Sequence, residues 1–213
     1  LVVKKDQISE NNIIQFKNTG NLDITNDIKV NADIITATGN AIAAVRDIII
    51  KTISYTNQTL IQAGRNLLMT IAGLFTNNST SRIHANDNIH IIADSMNNYG
   101  VIDSGSNLRI KTLDTNLETN GLYNNGLIYS AGELSLYEAN NILNDSTIYS
   151  IGDIYLGDKA IDKKFLTDLD AAADISGVND LVLTNNLTNS SGIIESEGNI
   201  EIDIAGDLVN KRS

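Results

Sequence analysis

Apolar and polar positions recur along the 213-residue chain in one nine-position frame: apolar, any, small, any, any, Asn/Asp/Glu, apolar, any, apolar. Nine copies fit it: Phe16–Ile24, Ile42–Ile50, Ile61–Met69, Ile83–Ile91, Ile102–Ile110, Ile128–Leu136, Ile148–Leu156, Ile175–Leu183 and Ile194–Ile202. The third position is small in each, with Ala63, Ala85, Ser130 and Ser150 as examples. The sixth is always Asn or acidic, as in Asn66, Asn88, Glu133 and Asp153. The apolar pair at positions seven and nine alternates with period two, the mark of a strand with one buried face.

Successive seventh positions lie 26, 19, 22, 19, 26, 20, 27 and 19 residues apart. A base period of 19–20 is thus lengthened in every second interval, at 25–41, 70–82, 111–127 and 157–174. About 20 residues is too short for a helix-containing repeat and suits a coil of three short strands. Stacked in parallel register, such coils make a β-solenoid. The left-handed hexapeptide solenoid needs an apolar residue every six positions, whereas here the six-step occurs once per coil. The expectation is therefore an all-β chain folded as a right-handed parallel β-helix of about nine coils. At about 4.8 Å per coil it is a rod roughly 40 Å long. The small third position should sit inside a tight corner and the polar sixth should open the next strand.

A second feature lies four residues before the leading apolar residue. Asn98, Asn124 and Asn144 occupy it, with Ser79 and Ser190 in other coils. Stacked Asn side chains at a corner can hydrogen-bond along the rod as an amide ladder; plain turn conformation is the other reading of Asn there.

Composition agrees. Ile occurs 32 times and Asn 29 times, and Pro is absent. Ile favours strands, Asn favours turns, and Pro would remove ladder hydrogen bonds. The net charge of −11 argues against nucleic acid as a partner. With no Cys and only His84 and His90, thiolate chemistry is excluded and zinc sites nearly so. No cofactor is expected. His84 and His90 both fall at outward positions and read as surface residues. Asp114-x-Asn116-x-Glu118 fails as a calcium loop, because Thr119 and Asn125 stand where Gly and Glu are needed.

The stretch 124–156, NNGLIYSAGELSLYEANNILNDSTIYSIGDIYL, resembles the haemagglutinin repeats of filamentous haemagglutinin and of contact-dependent growth inhibition exoproteins. Those repeats look like N-x-G-x-I-x-S-x-G-D-L-x-L. Asn144, Ile148, Ser150, Gly152, Asp153, Ile154 and Leu156 match that pattern, as do Asn98, Gly100, Ile102, Ser104, Asn107, Leu108 and Ile110. The segment GIIESEGNIEID at 192–203 matches again, and the resemblance is clearest over 97–209. It implies one β-helix segment, 1–213, of a longer rod in a two-partner secretion exoprotein of a Gram-negative bacterium. Such a protein crosses a dedicated outer-membrane transporter unfolded and stands on the cell surface. It acts non-enzymatically in adhesion or contact-dependent toxin delivery, towards a protein or glycan receptor on a host or neighbouring cell.

Candidate partner-binding residues come from the pattern. Tyr129 and Tyr149 occupy the same outward position in adjacent coils, so their rings should stack; Tyr137 and Tyr155 lie nearby. The insertion at 157–174 concentrates Lys159, Lys163 and Lys164 beside Phe165 in an otherwise acidic chain. Insertions confined to one corner would line one side of the rod. A carbohydrate-active β-helix enzyme is the alternative. Its carboxylates would come from the column Glu133–Asp153–Asp180, which also reads as a solvated corner.

Overall fold

The computed structural model describes residues 1–3, 15–113, 121–137, 141–157, 186–204 and 206–211. Among these the chain forms twenty-four strands and no helix. Every strand pairing is parallel. The coils stack as a parallel β-helix, as the repeat predicts, with about eight turns where the repeat implies nine.

One coil illustrates the path. Ala41–Ala44 lies on one face, Ile48–Thr52 on a second and Ser54–Asn57 on a third, before Leu60–Ala63 returns to the first, one rung on. We call these faces A, B and C in that order. Leu67–Asn77 and Ile89–Asn98 run unbroken round the corner from face B to face C. Face A is a separate sheet of eight strands, each of four residues. Seven steps of about 4.8 Å between eight strands span about 35 Å.

The core is a set of columns inside the coil. Ile42, Ile61, Ile83, Ile102, Ile128 and Ile148 stack on face A, each at most 2% exposed. Ile48, Leu67, Ile89, Leu108, Leu134 and Ile154 do so on face B. The small third position lies inside the corner, as expected. Its serines also bond to the rung before: Ser104 Oγ donates to Asp87 O at 2.6 Å and Ser130 Oγ to Ser106 O at 2.6 Å. Bulk is excluded between rungs as well, since a Cβ on Gly126 would lie 2.1 Å from Gly100 O.

The sixth position has a purpose that alternation alone does not reveal. Its side-chain oxygen accepts the backbone N–H of the sixth residue one rung on. Asp47 Oδ1 accepts from Asn66 N at 3.1 Å, Asn66 Oδ1 from Asn88 N at 3.3 Å, and Asn107 Oδ1 from Glu133 N at 2.9 Å. An amide or carboxylate oxygen on a short side chain meets that donor, which suits Asn and Asp at this position.

The inner amide ladder is present and longer than the sequence suggests. Nδ2 of Asn57 donates to Oδ1 of Asn77, and the chain continues through Asn98, Asn124, Asn144 and Asn189 to Asn210, at 2.7–3.2 Å. The second Nδ2 hydrogen finds a strand carbonyl, as in Asn98 to Leu127 O at 3.2 Å and Asn124 to Thr147 O at 3.2 Å. Ser79 and Ser190 are not members, and Asn57, Asn77 and Asn189 are. Two extra residues in the turn after Asn77 displace the count from the leading Ile83, so counting four back lands on Ser79. The five-residue strand Asn186–Ser190 displaces it by one at Ile194.

Two other parts of the frame move. Leu22, not Phe16, is in register with Ile42, and Phe16 pairs with Ile35 on face C. The first copy is therefore Leu22–Val30, and Ile24 stands at its small position. That removes the lengthened interval at 25–41. The rung after Ile148 and Ile154 is the one that carries Ile194 and Ile200: Ile148 pairs directly with Ile194 and Ile154 with Ile200. Residues 175–183 lie outside the described residues, which leaves about eight turns, not nine.

The inserted residues do not all share a corner. Of those in 70–82, one forms a bulge between faces B and C, and two sit in the turn between C and A. The segments after Thr112 and after Gly157 both leave from the B–C corner, two rungs apart, about 10 Å along the rod.

Two substitutions test the stack. Ile148→Asp places a charge in a fully buried column and should abolish cooperative unfolding of at least one turn. Asn124→Ala strands the donor of Asn98 and the acceptor of Asn144 and should cost at least about 2 kcal/mol. Urea titration followed by circular dichroism measures both.

Candidate functional site

Face A presents an uninterrupted outer surface. Its strands have the same short length on every rung, so matching positions form straight outer columns. One column runs Gln62, His84, Asp103, Tyr129, Tyr149 and Glu195. Beside it runs Leu60, Arg82, Val101, Leu127, Thr147 and Ile193.

The tyrosine pair is placed as the repeat predicts. Tyr129 and Tyr149 stack with centroids 5.6 Å apart and planes within 14°. Both are half-exposed. Because the rings face each other along the rod, their edges and hydroxyls meet solvent. Such a ladder offers hydrogen bonds and ring edges to a partner, not an open platform for a sugar ring. Tyr149 Oη donates to Glu197 Oε1 at 2.6 Å. That bond to an anion, with lesser help from desolvation and nearby carboxylates, pushes the Tyr149 phenol up to about 12.

On the two rungs immediately N-terminal to the pair lies a charged cluster that sequence reasoning missed. Asp103 accepts from Arg82 Nε at 2.6 Å and Nη2 at 2.7 Å, and contacts His84 Nδ1 at 2.5 Å. His84 Nε2 lies 3.0 Å from Asn86 Oδ1. Burial works to raise the Asp103 carboxyl, but the hydrogen bonds from Arg82 and His84 outweigh it and hold it below its ordinary value. Reading the second frame position down successive copies finds the signal: His84, Asp103, Tyr129 and Tyr149 follow one another there. His84 is therefore not an isolated surface residue.

His90 departs further. Alternation puts it on the outer side of face B, yet it is fully buried. Its column neighbours are Leu68 and Arg109. These, with Ile92 and Lys111 on the same side, are all at most 5% exposed. An outward position here is not a solvated one. Burial, with Arg109 and Lys111 adding to it, pushes the His90 imidazole down to about 3.

The two described carboxylates of the acidic column, Glu133 and Asp153, are engaged with neighbours in the stack. Glu133 accepts from Ser135 Oγ at 3.1 Å and lies 3.6 Å from Arg109. Asp153 Oδ1 accepts from Asn199 N at 2.8 Å, and its Oδ2 from Tyr155 Oη at 3.1 Å. Asp180 is outside the described residues, and Asn199 takes the rung next to Asp153. Lys159, Lys163, Lys164 and Phe165 also lie outside them, as do Asp114, Asn116 and Glu118; the side chain of Tyr137 is not described. Among the described residues, no three His, Asp or Glu side chains are grouped to hold a metal ion. No helix among them is long and apolar enough to cross a membrane.

Comparison with family models, with curated proteins and with solved structures finds no match for the chain.

His90 makes stability depend on pH. Its folded value lies below the ordinary 6.5. The contribution is therefore complete above about pH 6.5 and is lost as pH falls, at about 1.4 kcal/mol per unit. The urea midpoint should drop between about pH 7 and 5, and His90→Leu should flatten that slope.

Proposed function

We propose that this chain is a rigid, non-enzymatic rod segment of a secreted bacterial exoprotein. It would serve adhesion or contact-dependent toxin delivery by holding a recognition surface away from the cell that makes it. The observation that carries this reading is the unbroken Asn ladder from Asn57 to Asn210 within a continuous parallel stack. Each turn is tied to the next by side chain and backbone, so the element transmits force and keeps its length. The haemagglutinin-repeat pattern of 97–209 supports a cell-surface setting. The use of Glu133 and Asp153 as hydrogen-bond acceptors within the stack favours a structural role for the acidic column over acid–base chemistry.

Two surfaces are the candidates for receptor contact. One is face A around Tyr129 and Tyr149, an aromatic centre with Leu127 and Ile193 beside it and the acidic Glu195 and Glu197 at its rim. Interfaces tend to place aromatic anchors centrally and charge at the edge. The other is the segment bearing Lys159, Lys163, Lys164 and Phe165, which leaves the rod at the B–C corner.

Binding of the purified chain to intact bacterial and host cells tests the proposal. It should be run beside a protein with 158–174 replaced by a short Gly/Asn turn and beside Tyr149→Ala. Saturable binding lost with the replacement assigns recognition to the insertion; loss with Tyr149→Ala alone assigns it to face A. No binding by any of the three, all folded, leaves a shaft whose role is reach. Release of new reducing ends from bacterial or host polysaccharides would overturn the non-enzymatic reading.

A further inference from the structure

The tyrosine pair on face A has a geometry with its own chemistry, independent of any receptor. Tyr129 and Tyr149 stand on adjacent rungs, nearly parallel, with centroids 5.6 Å apart. Both rings reach solvent at their edges. The Tyr149 hydroxyl is already bonded to a carboxylate, Glu197, at 2.6 Å. We propose that this pair is an oxidative crosslinking site, at which a peroxide-driven one-electron oxidant joins Tyr129 to Tyr149 as dityrosine.

The balance is as follows. Each phenol gives one electron to the oxidant and loses its hydroxyl proton, Tyr149 to Glu197 and Tyr129 to water. The two phenoxyl radicals couple through their ortho carbons. The hydrogen on each coupled carbon moves to its own oxygen and restores the phenol. In sum, two tyrosines and one hydrogen peroxide yield one dityrosine and two waters. Glu197 matters because an oxidised phenol is strongly acidic, and a carboxylate within hydrogen-bond reach takes the proton as the electron leaves.

Register makes the pair selective. The strands Leu127–Ser130 and Thr147–Ser150 hold the two side chains side by side, so coupling is an intramolecular step between preorganised partners. Among the described residues, the other two ring contacts that involve tyrosine are less suited. Tyr99 and Tyr123 lie 5.7 Å apart but at 73°, so an edge meets a face and the ortho carbons do not lie side by side. Tyr55 is buried at 1% exposure and stacks on Phe75, which carries no phenol. The product closes one full coil covalently, from 129 to 149, and restricts the unfolded chain as any crosslink does.

The test is oxidation of the dilute full chain by haem peroxidase and hydrogen peroxide. The expected product is a monomer lighter by two hydrogens, with dityrosine fluorescence. Peptide mapping should find Tyr129 joined to Tyr149, and the thermal midpoint should rise by several degrees. Tyr129→Phe and Tyr149→Phe each remove one hydroxyl on the outer side of face A, should keep the β-sheet circular dichroism, and should abolish the product. Glu197→Gln should slow its formation severalfold. A link mapped to another tyrosine pair, crosslinks only between molecules, or product formation in Tyr149→Phe overturns the proposal. An unchanged rate in Glu197→Gln overturns the assignment of Glu197 as proton acceptor.

Discussion

A buried primary amide carries two donors and an acceptor, and inside an apolar coil few groups can meet them. Here another amide at the same place on the next rung does so from Asn57 to Asn144, and the ladder runs on through the half-buried Asn189 to the exposed Asn210. All these bonds run in the same direction, so their dipoles add along the rod. A slip of one residue in a coil inside the ladder would turn an Asn outward and leave its two neighbours in the ladder unmet. The parallel register of the faces, and with it every outer column, follows from that constraint. The ladder passes directly from Asn144 to Asn189, so the long insertion between them does not disturb the stack.

Outside the coil the same register produces different surfaces. On the middle rungs of face B, the outward-pointing Leu68, His90, Ile92, Arg109 and Lys111 are buried, and a neutral imidazole sits between Leu68 and Arg109. On face A the columns stay open and collect a charged cluster, a tyrosine stack and an acidic rim. The Arg82–Asp103–His84 cluster joins side chains from two adjacent strands. A rod with one smooth face and insertions from a different corner can meet two partners without distorting its core. Both surfaces stand on strands, whose positions are held by neighbours above and below.

Much of this was legible in the residues. The nine-position frame, the 19–20 residue period and the absence of Pro implied parallel coils with Ile columns, because a repeat that returns an apolar pair at each turn can bury it only by stacking. The Tyr129–Tyr149 stack followed from one shared position in adjacent copies. The restriction of the sixth position to Asn, Asp and Glu was visible as a pattern, though not its cause. The sequence alone also set the length of a turn and the side of each strand that faces inward.

Tertiary structure decided what spacing cannot. Phe16 satisfied the six-step to Leu22 yet belongs to face C, because the strand pairs with Ile35 and a repeat frame cannot tell one apolar column from the next. The ladder included Asn77 and Asn189 and not Ser79 or Ser190, because bulges and turns absorb extra residues while the buried amide keeps its place. Burial of His90 was invisible, since alternation gives direction and not what lies beyond it. Solvation of an outward side chain depends on packing across rungs, and that is a property of the assembled stack.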